Sequence, residues 1–217
     1  MNMTMPSEEL KTRLLRAVEA APAPTRAEES KRSSWLVGGA LLLSFAAYLA
    51  YGGVRMAGRP VSLVVGTVAG TAVIAALTIW AAVGRGRAML GRTSRWLTVV
   101  VIASPLALIA WKVLWTAQYD QGLDRWPSRL GLRCLGISLA LGWLPLAAIL
   151  FSRRGTDAVH PGRAGMGMGV ALGIGAATLV DAWCPVGYVP HFLLGHILPL
   201  AVLGAAGLWL GRKILAP

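Results

Sequence analysis

Apolar runs of roughly membrane-spanning length alternate with short basic segments along most of the chain. No residue is charged from Ser33 to Val54, from Pro60 to Gly84, or from Cys134 to Ser152. Trp96 to Tyr119 carries one charge, Lys112, and Ala164 to Gly211 carries one, Asp181. A spanning helix needs roughly 20 apolar residues, so the last stretch is long enough to cross twice. Its break falls at Cys184-Pro185-Val186-Gly187-Tyr188-Val189-Pro190, where two prolines and a glycine end one helix and begin another. The pattern predicts an all-α polytopic membrane protein, a bundle of six transmembrane helices. The spans are expected near 35–53, 61–83, 96–117, 132–151, 164–183 and 190–210. A cytoplasmic segment, 1–34, precedes this 35–211 domain, and a short tail, 212–217, follows it.

Composition agrees with that pattern. Hydrophobic residues make up 56% and charged residues 14%, with a mean hydropathy of +0.62. An average soluble domain is about 25% charged, so the composition argues against an ordinary soluble globular protein. The net charge of +12 would suggest nucleic acid in a soluble chain. Here the basic residues sit between apolar runs, so they set topology and no direct nucleic-acid binding is expected. One side of the bundle carries Lys11, Arg13, Arg16, Arg26, Lys31 and Arg32, then Arg85, Arg87, Arg92 and Arg95. Arg153, Arg154, Arg163, Arg212 and Lys213 complete that side. The other side has Arg55, Arg59, Arg125, Arg129 and Arg133. The asymmetry of 15 against five places both termini in the cytoplasm of a bacterial inner membrane, with no cleavable signal peptide expected.

Residues 7–20 read as a short amphipathic helix. Ser7 caps it and Glu8 and Glu9 lie at its positive end. Leu10, Leu14 and Val18 form an apolar stripe, flanked by Leu15. Pro22 and Pro24 stop this helix. Thr25 and Glu28 then form the capping box of a second one, expected to continue into the first span. A free helix of about 14 residues is marginal in water, so the stripe needs a partner. Another protein, the bilayer surface and the chain's own loops are all candidates.

The topology gathers unusual residues at one end of the bundle. Helix 4 opens with Arg133-Cys134, helix 5 closes with Asp181-Ala182-Trp183-Cys184, and helix 6 opens with Pro190-His191 and carries His196 deeper. Two thiols at one height in an oxidising compartment suit a disulfide. With imidazoles beside them they also suit a soft or borderline metal such as zinc or copper(I). Against a two-histidine face, residues five apart on an ideal α-helix diverge by about 140°. The plain alternative is a structural polar cluster in which Asp181 pairs with a histidine. No cofactor is certain. Lys112 lies close enough to the outer end of helix 3 to snorkel to the interface. Gly165, Gly169 and Gly173 recur every four residues on helix 5, a spacing that lets helix backbones approach closely. Packing within the chain is the simpler reading of that stripe, and the oligomeric state stays open. No phosphate loop, zinc-protease motif or serine elbow occurs, so no enzyme activity is expected.

The layout of six helices, a charged N-terminus and two outer cysteines resembles the NrsF-type family of membrane anti-sigma factors. The carrying residues are Cys184-Pro185 followed by His191-Phe192-Leu193-Leu194-Gly195-His196-Ile197-Leu198-Pro199. Glu9-Leu10-Lys11-Thr12-Arg13-Leu14, through Pro22 and Thr25-Arg26, also resembles the start of such proteins. The resemblance implies that a cytoplasmic extracytoplasmic-function sigma factor is held at the membrane by residues 1–34, with Leu10, Leu14, Leu15 and Val18 as contacts. It also implies that Cys134 and Cys184 take part in the response to an external signal. The competing class is a small integral-membrane transporter or membrane-enzyme subunit in which Asp181, His196 and Lys112 line a polar path.

Overall fold

A computed structural model describes residue 12 and residues 26–55, 59–83, 94–118, 131–155, 159–184 and 189–217. The described residues form helices and connecting turns, without strands. Six helices are long and apolar enough to cross a membrane: α1 (Arg26–Ala50), α2 (Val61–Val83), α3 (Ser94–Thr116), α4 (Leu132–Ser152), α5 (Pro161–Trp183) and α6 (Val189–Ile214). The amphipathic helix expected over 7–20, with Leu10, Leu14, Leu15 and Val18, lies outside the described residues except for Thr12.

Local chemistry explains the ends. Glu28 and Glu29 occupy the first turn of α1, where the helix dipole favours negative charge. The helix then runs through Lys31 and Arg32 into the apolar stretch without a break. It stops at Ala50, short of the expected residue 53, because Gly52 and Gly53 turn to φ of 119° and 55°. Pro161 starts α5 in its first turn, where a missing N–H costs no helical bond. The last helix continues to Ile214, so Arg212 and Lys213 sit in its final turn rather than in a free tail.

Helix α5 is the centre of the bundle and is buried along most of its length. It packs most extensively on α6, and also on α2, α3 and α4, while α1 lies outside against α4. Small residues make the central position possible. A Cβ at Gly165 would strike the Gly207 carbonyl and reach 2.9 Å from Gly211 Cα. One at Gly169 would meet the Leu203 carbonyl and Gly204 Cα, and one at Gly173 would meet Leu200 Cα at 2.9 Å. The glycine stripe therefore faces α6 within the same chain. Each glycine costs a helix about 1 kcal/mol relative to alanine. Direct backbone contact between α5 and α6 offsets that cost.

The interior is largely apolar, but it also holds polar and charged side chains, and large apolar side chains cover the outside. Lys112, Asp181, Ser138, His191 and His196 are buried, while Trp35, Leu42, Trp80 and Leu114 are exposed.

Candidate functional site

Four ends converge at one pole of the bundle. Gly131, at φ 82°, is the residue before α4 and sets the start of that helix against α6. A Cβ there would come within 2.8 Å of the His191 carbonyl. Gly195 completes the approach from the other side, since a Cβ on it would lie 2.9 Å from Cys134 Cβ. These two glycines let the backbone of α6 pass beside the first turn of α4.

The approach brings Cys134, Cys184, His191 and His196 together. One ligand atom from each lies within 4.8 Å of all the others. The Nε2 of His191 stands 3.4 Å from Cys134 Sγ and 3.2 Å from Cys184 Sγ. All four residues are buried, and His196 is 0% exposed. Both cysteines are free thiols, with no S–S bond between them.

The two histidines share a face because α6 is not a plain α-helix there. Residues Leu193–Ile197 form a π-helical turn, whose i→i+5 bonds set residues five apart above one another. Ring centroids of His191 and His196 are 5.9 Å apart. The divergence expected from α-helical spacing is thereby corrected. Pro199 is the local cause we identify: it has no N–H to offer the Gly195 carbonyl, four residues earlier. Ser138 Oγ donates to that carbonyl at 3.4 Å instead.

Behind His196 lies a buried charge pair. Lys112 Nζ is 2.5 Å from Asp181 Oδ1, and His196 Nδ1 is 3.9 Å from the same oxygen. Lys112 therefore does not snorkel outward. It turns into the bundle because Asp181, on the central helix, supplies the opposite charge that an interior amine requires. Phe192 fills the space beside this pair, its ring stacked on His196 at 5.5 Å and 5.9 Å from Lys112 Nζ.

Arg55 and Arg59, between α1 and α2, meet the C-terminus of α5. Arg59 donates to the carbonyls of Asp181 at 3.4 Å, Ala182 at 3.1 Å and Cys184 at 3.0 Å, and also to Arg55 O. The backbone N–H of Arg55 donates to Ala182 O at 3.1 Å. Helix C-termini leave such carbonyls without partners, and a cation there also opposes the negative end of the dipole. Burial pulls the Arg59 guanidinium below the ordinary arginine value, an effect that Asp181 opposes. Trp183 sits between the guanidinium carbons of Arg55, at 4.9 Å, and Arg133, at 5.2 Å. Arg133 also donates to Tyr51 Oη at 2.5 Å.

Sequence reasoning singled out Cys134, Cys184, His191, His196 and Asp181, and the structure brings all five to one pole. It treated Arg55, Arg59 and Arg133 only as topological charges. Their signal was position: each lies a few residues from an apolar run whose far neighbour is the end of α5. Ser138 carried no signal, because its role depends on a carbonyl exposed by Pro199 on another helix.

Chemically, two thiols and two imidazoles form a four-donor set for a soft or borderline cation. Zinc bonds of about 2.3 Å to sulfur and 2.0–2.1 Å to nitrogen require donors about 3.3–3.8 Å apart in a tetrahedron. The sulfur–nitrogen separations of 3.2 and 3.4 Å at His191 lie close to that range.

Comparison with known proteins supplies the remaining finding. A family model described as NrsF, negative regulator of sigma F, matches residues 17–216, nearly the whole chain. No curated protein and no solved structure matches it. The chain belongs to the NrsF family of negative regulators of a sigma factor.

Proposed function

We propose that this NrsF-family chain is an inner-membrane anti-sigma factor with both termini in the cytoplasm. Its segment 1–34 sequesters an extracytoplasmic-function sigma factor, with Leu10, Leu14, Leu15 and Val18 as the apolar contacts. Binding would be helix-in-groove and coupled to ordering of the segment. The family match carries this reading. The large apolar side chains exposed around the bundle support a lipid environment, where they would face hydrocarbon while polar groups pair inside.

The signal enters at the outer pole through Cys134, Cys184, His191 and His196, as a metal ion or as oxidation of the thiols. The four-donor geometry favours the metal. A mechanical route to the cytoplasm exists. Tyr48, near the outer end of α1, packs in one buried cluster with Cys134, Trp183 and Cys184. The same helix begins at Arg26, inside the proposed sigma-binding segment 1–34. A change in spacing among α4, α5 and α6 would shift α1 and loosen the grip on the sigma factor.

The test is co-purification of the sigma factor with the full chain in detergent, with and without zinc or copper(I). Retention without metal and release with it is the expected result. A second reading has one observation in its favour: Lys112, Asp181 and His196 do meet, as a transporter's polar path would require. Ion flux in proteoliposomes without any sigma-factor binding would favour it.

A further inference from the structure

Asp181 is the one acid within the apolar stretches of the sequence, and its neighbours are specific. Its Oδ1 pairs with Lys112 of α3 at 2.5 Å and faces His196 Nδ1 of α6 at 3.9 Å. Its other oxygen, Oδ2, is buried with no hydrogen-bond partner among the described residues, and so are both ring nitrogens of His196. Burying an unsatisfied polar atom costs about 1–3 kcal/mol, so three of them side by side call for an explanation. A polar cluster formed for stability alone would be expected to close these hydrogen bonds. Here the carboxylate and the ring stand about 1 Å beyond normal hydrogen-bond distance.

A metal-ligating histidine almost always donates its second ring N–H to a carboxylate, carbonyl or water. That contact fixes the tautomer, orients the ring and raises the basicity of the ligating nitrogen. His196 presents Nδ1 to Asp181, which leaves Nε2 as the atom for the thiol-rich side. Lys112 Nζ holds the other side of the carboxylate through Oδ1.

We infer that Asp181 is the positioning residue of a Cys134–Cys184–His191–His196 metal site, accepting a hydrogen bond from His196 Nδ1–H when a zinc-type cation is bound, with Lys112 anchoring the carboxylate from α3. This inference rests on the metal reading of the cluster proposed above. It adds α3 to the site, so that four helices carry its ligands and their support. Lys112 and Asp181 are then the support of the ligand His196, and no transport path is needed to account for their burial.

The experiment uses the full chain, purified in detergent with its thiols reduced, titrated with cobalt(II) as a spectroscopic substitute for zinc. The wild-type chain is expected to bind one equivalent, with thiolate-to-cobalt charge-transfer bands and the d–d bands of a tetrahedral site. Asp181→Asn keeps the shape of the side chain and removes its charge. It is expected to weaken affinity about 10–100-fold while the thiolate bands persist, because the ligands themselves are intact. Lys112→Met together with Asp181→Asn leaves no buried charge uncompensated, and is expected to match the single variant. It serves as the second variant should Asp181→Asn alone misfold. Wild-type affinity in both variants would overturn the positioning role while leaving the metal site standing. A wild-type chain that binds neither cobalt(II) nor copper(I) would overturn the metal reading and this inference with it.

Discussion

His191 and His196 are five residues apart in sequence, yet their ring centroids lie 5.9 Å apart on one side of α6. A π-helical turn over Leu193–Ile197 makes this possible, at the point where Pro199 cannot complete the α-helical ladder. The same turn contains Gly195, whose bare Cα faces Cys134 across the α4–α6 contact. The residues of the π-helical turn and the residues that could hold a cation are therefore one local unit.

Gly195→Ala tests that unit. The added Cβ would come within 2.9 Å of Cys134 Cβ and 3.1 Å of the Gly131 carbonyl. Backbone must shift, and overpacking of this kind costs about 1–3 kcal/mol. The expected result is a lowered melting temperature in detergent and weakened metal binding, because α6 moves off α4. Gly136→Ala is the control, since nothing lies within 4 Å of a Cβ there. It should be neutral or stabilising by up to about 1 kcal/mol.

Gly169→Val tests the α5–α6 interface. The Leu203 carbonyl and Gly204 Cα occupy the space that any side chain would need, and both are backbone. Loss of the folded species on gel filtration, or a fall in melting temperature larger than that of Gly195→Ala, is expected. A variant as stable as the parent would mean that the two helices do not pack along this stripe.

The bundle was legible because apolar run length and the spacing of charges report directly on helix number. The level of Cys134, Cys184, His191 and His196 was legible for the same reason, since topology alone puts those helix ends at one pole. Azimuth was not. The direction a side chain faces depends on every residue adding 100°, and a single π-turn breaks that count between His191 and His196. Lys112 was misread for a related cause: its distance from the helix end allowed snorkelling, and only the packing of α3 on α5 shows Asp181 opposite it. The glycine stripe pointed to close packing, but its partner on α6 required coordinates.

Topology gives a third prediction. Reporter fusions after Arg92 and after Arg212 are expected to score as cytoplasmic, and a fusion after Asp120 as periplasmic. The warrant is the excess of basic residues beside the ends of α1, α2, α3, α4, α5 and α6 on one side. The reverse pattern would place the thiol cluster in the cytoplasm and remove its role in sensing an external signal.

Leu14→Asp addresses the partner. Burying a leucine contributes roughly 1.5–3 kcal/mol, and burying an unpaired carboxylate costs more. Leu14 is expected at the middle of the apolar stripe that also holds Leu10 and Val18. The expected outcome is loss of sigma-factor binding and constitutive expression of its target promoter, with unchanged insertion of the chain in the membrane. Normal repression by this variant would move the contact surface elsewhere.

Cys134→Ser combined with Cys184→Ser separates sensing from folding. Both thiols are buried, and each lies within 3.4 Å of His191 Nε2. A serine hydroxyl is nearly the same size and can hydrogen-bond to the same nitrogen, so the bundle should still fold and still bind the sigma factor. What serine cannot supply is a thiolate, the soft ligand that zinc and copper(I) require and the group that oxidants attack. The double variant is therefore expected to repress its promoter as the parent does in the absence of a stimulus, and to fail to release it when metal or oxidant is added. Promoter activity measured across a metal titration checks this directly. Full induction in the double variant would show that the signal enters elsewhere, and the cluster would then be a structural contact among α4, α5 and α6.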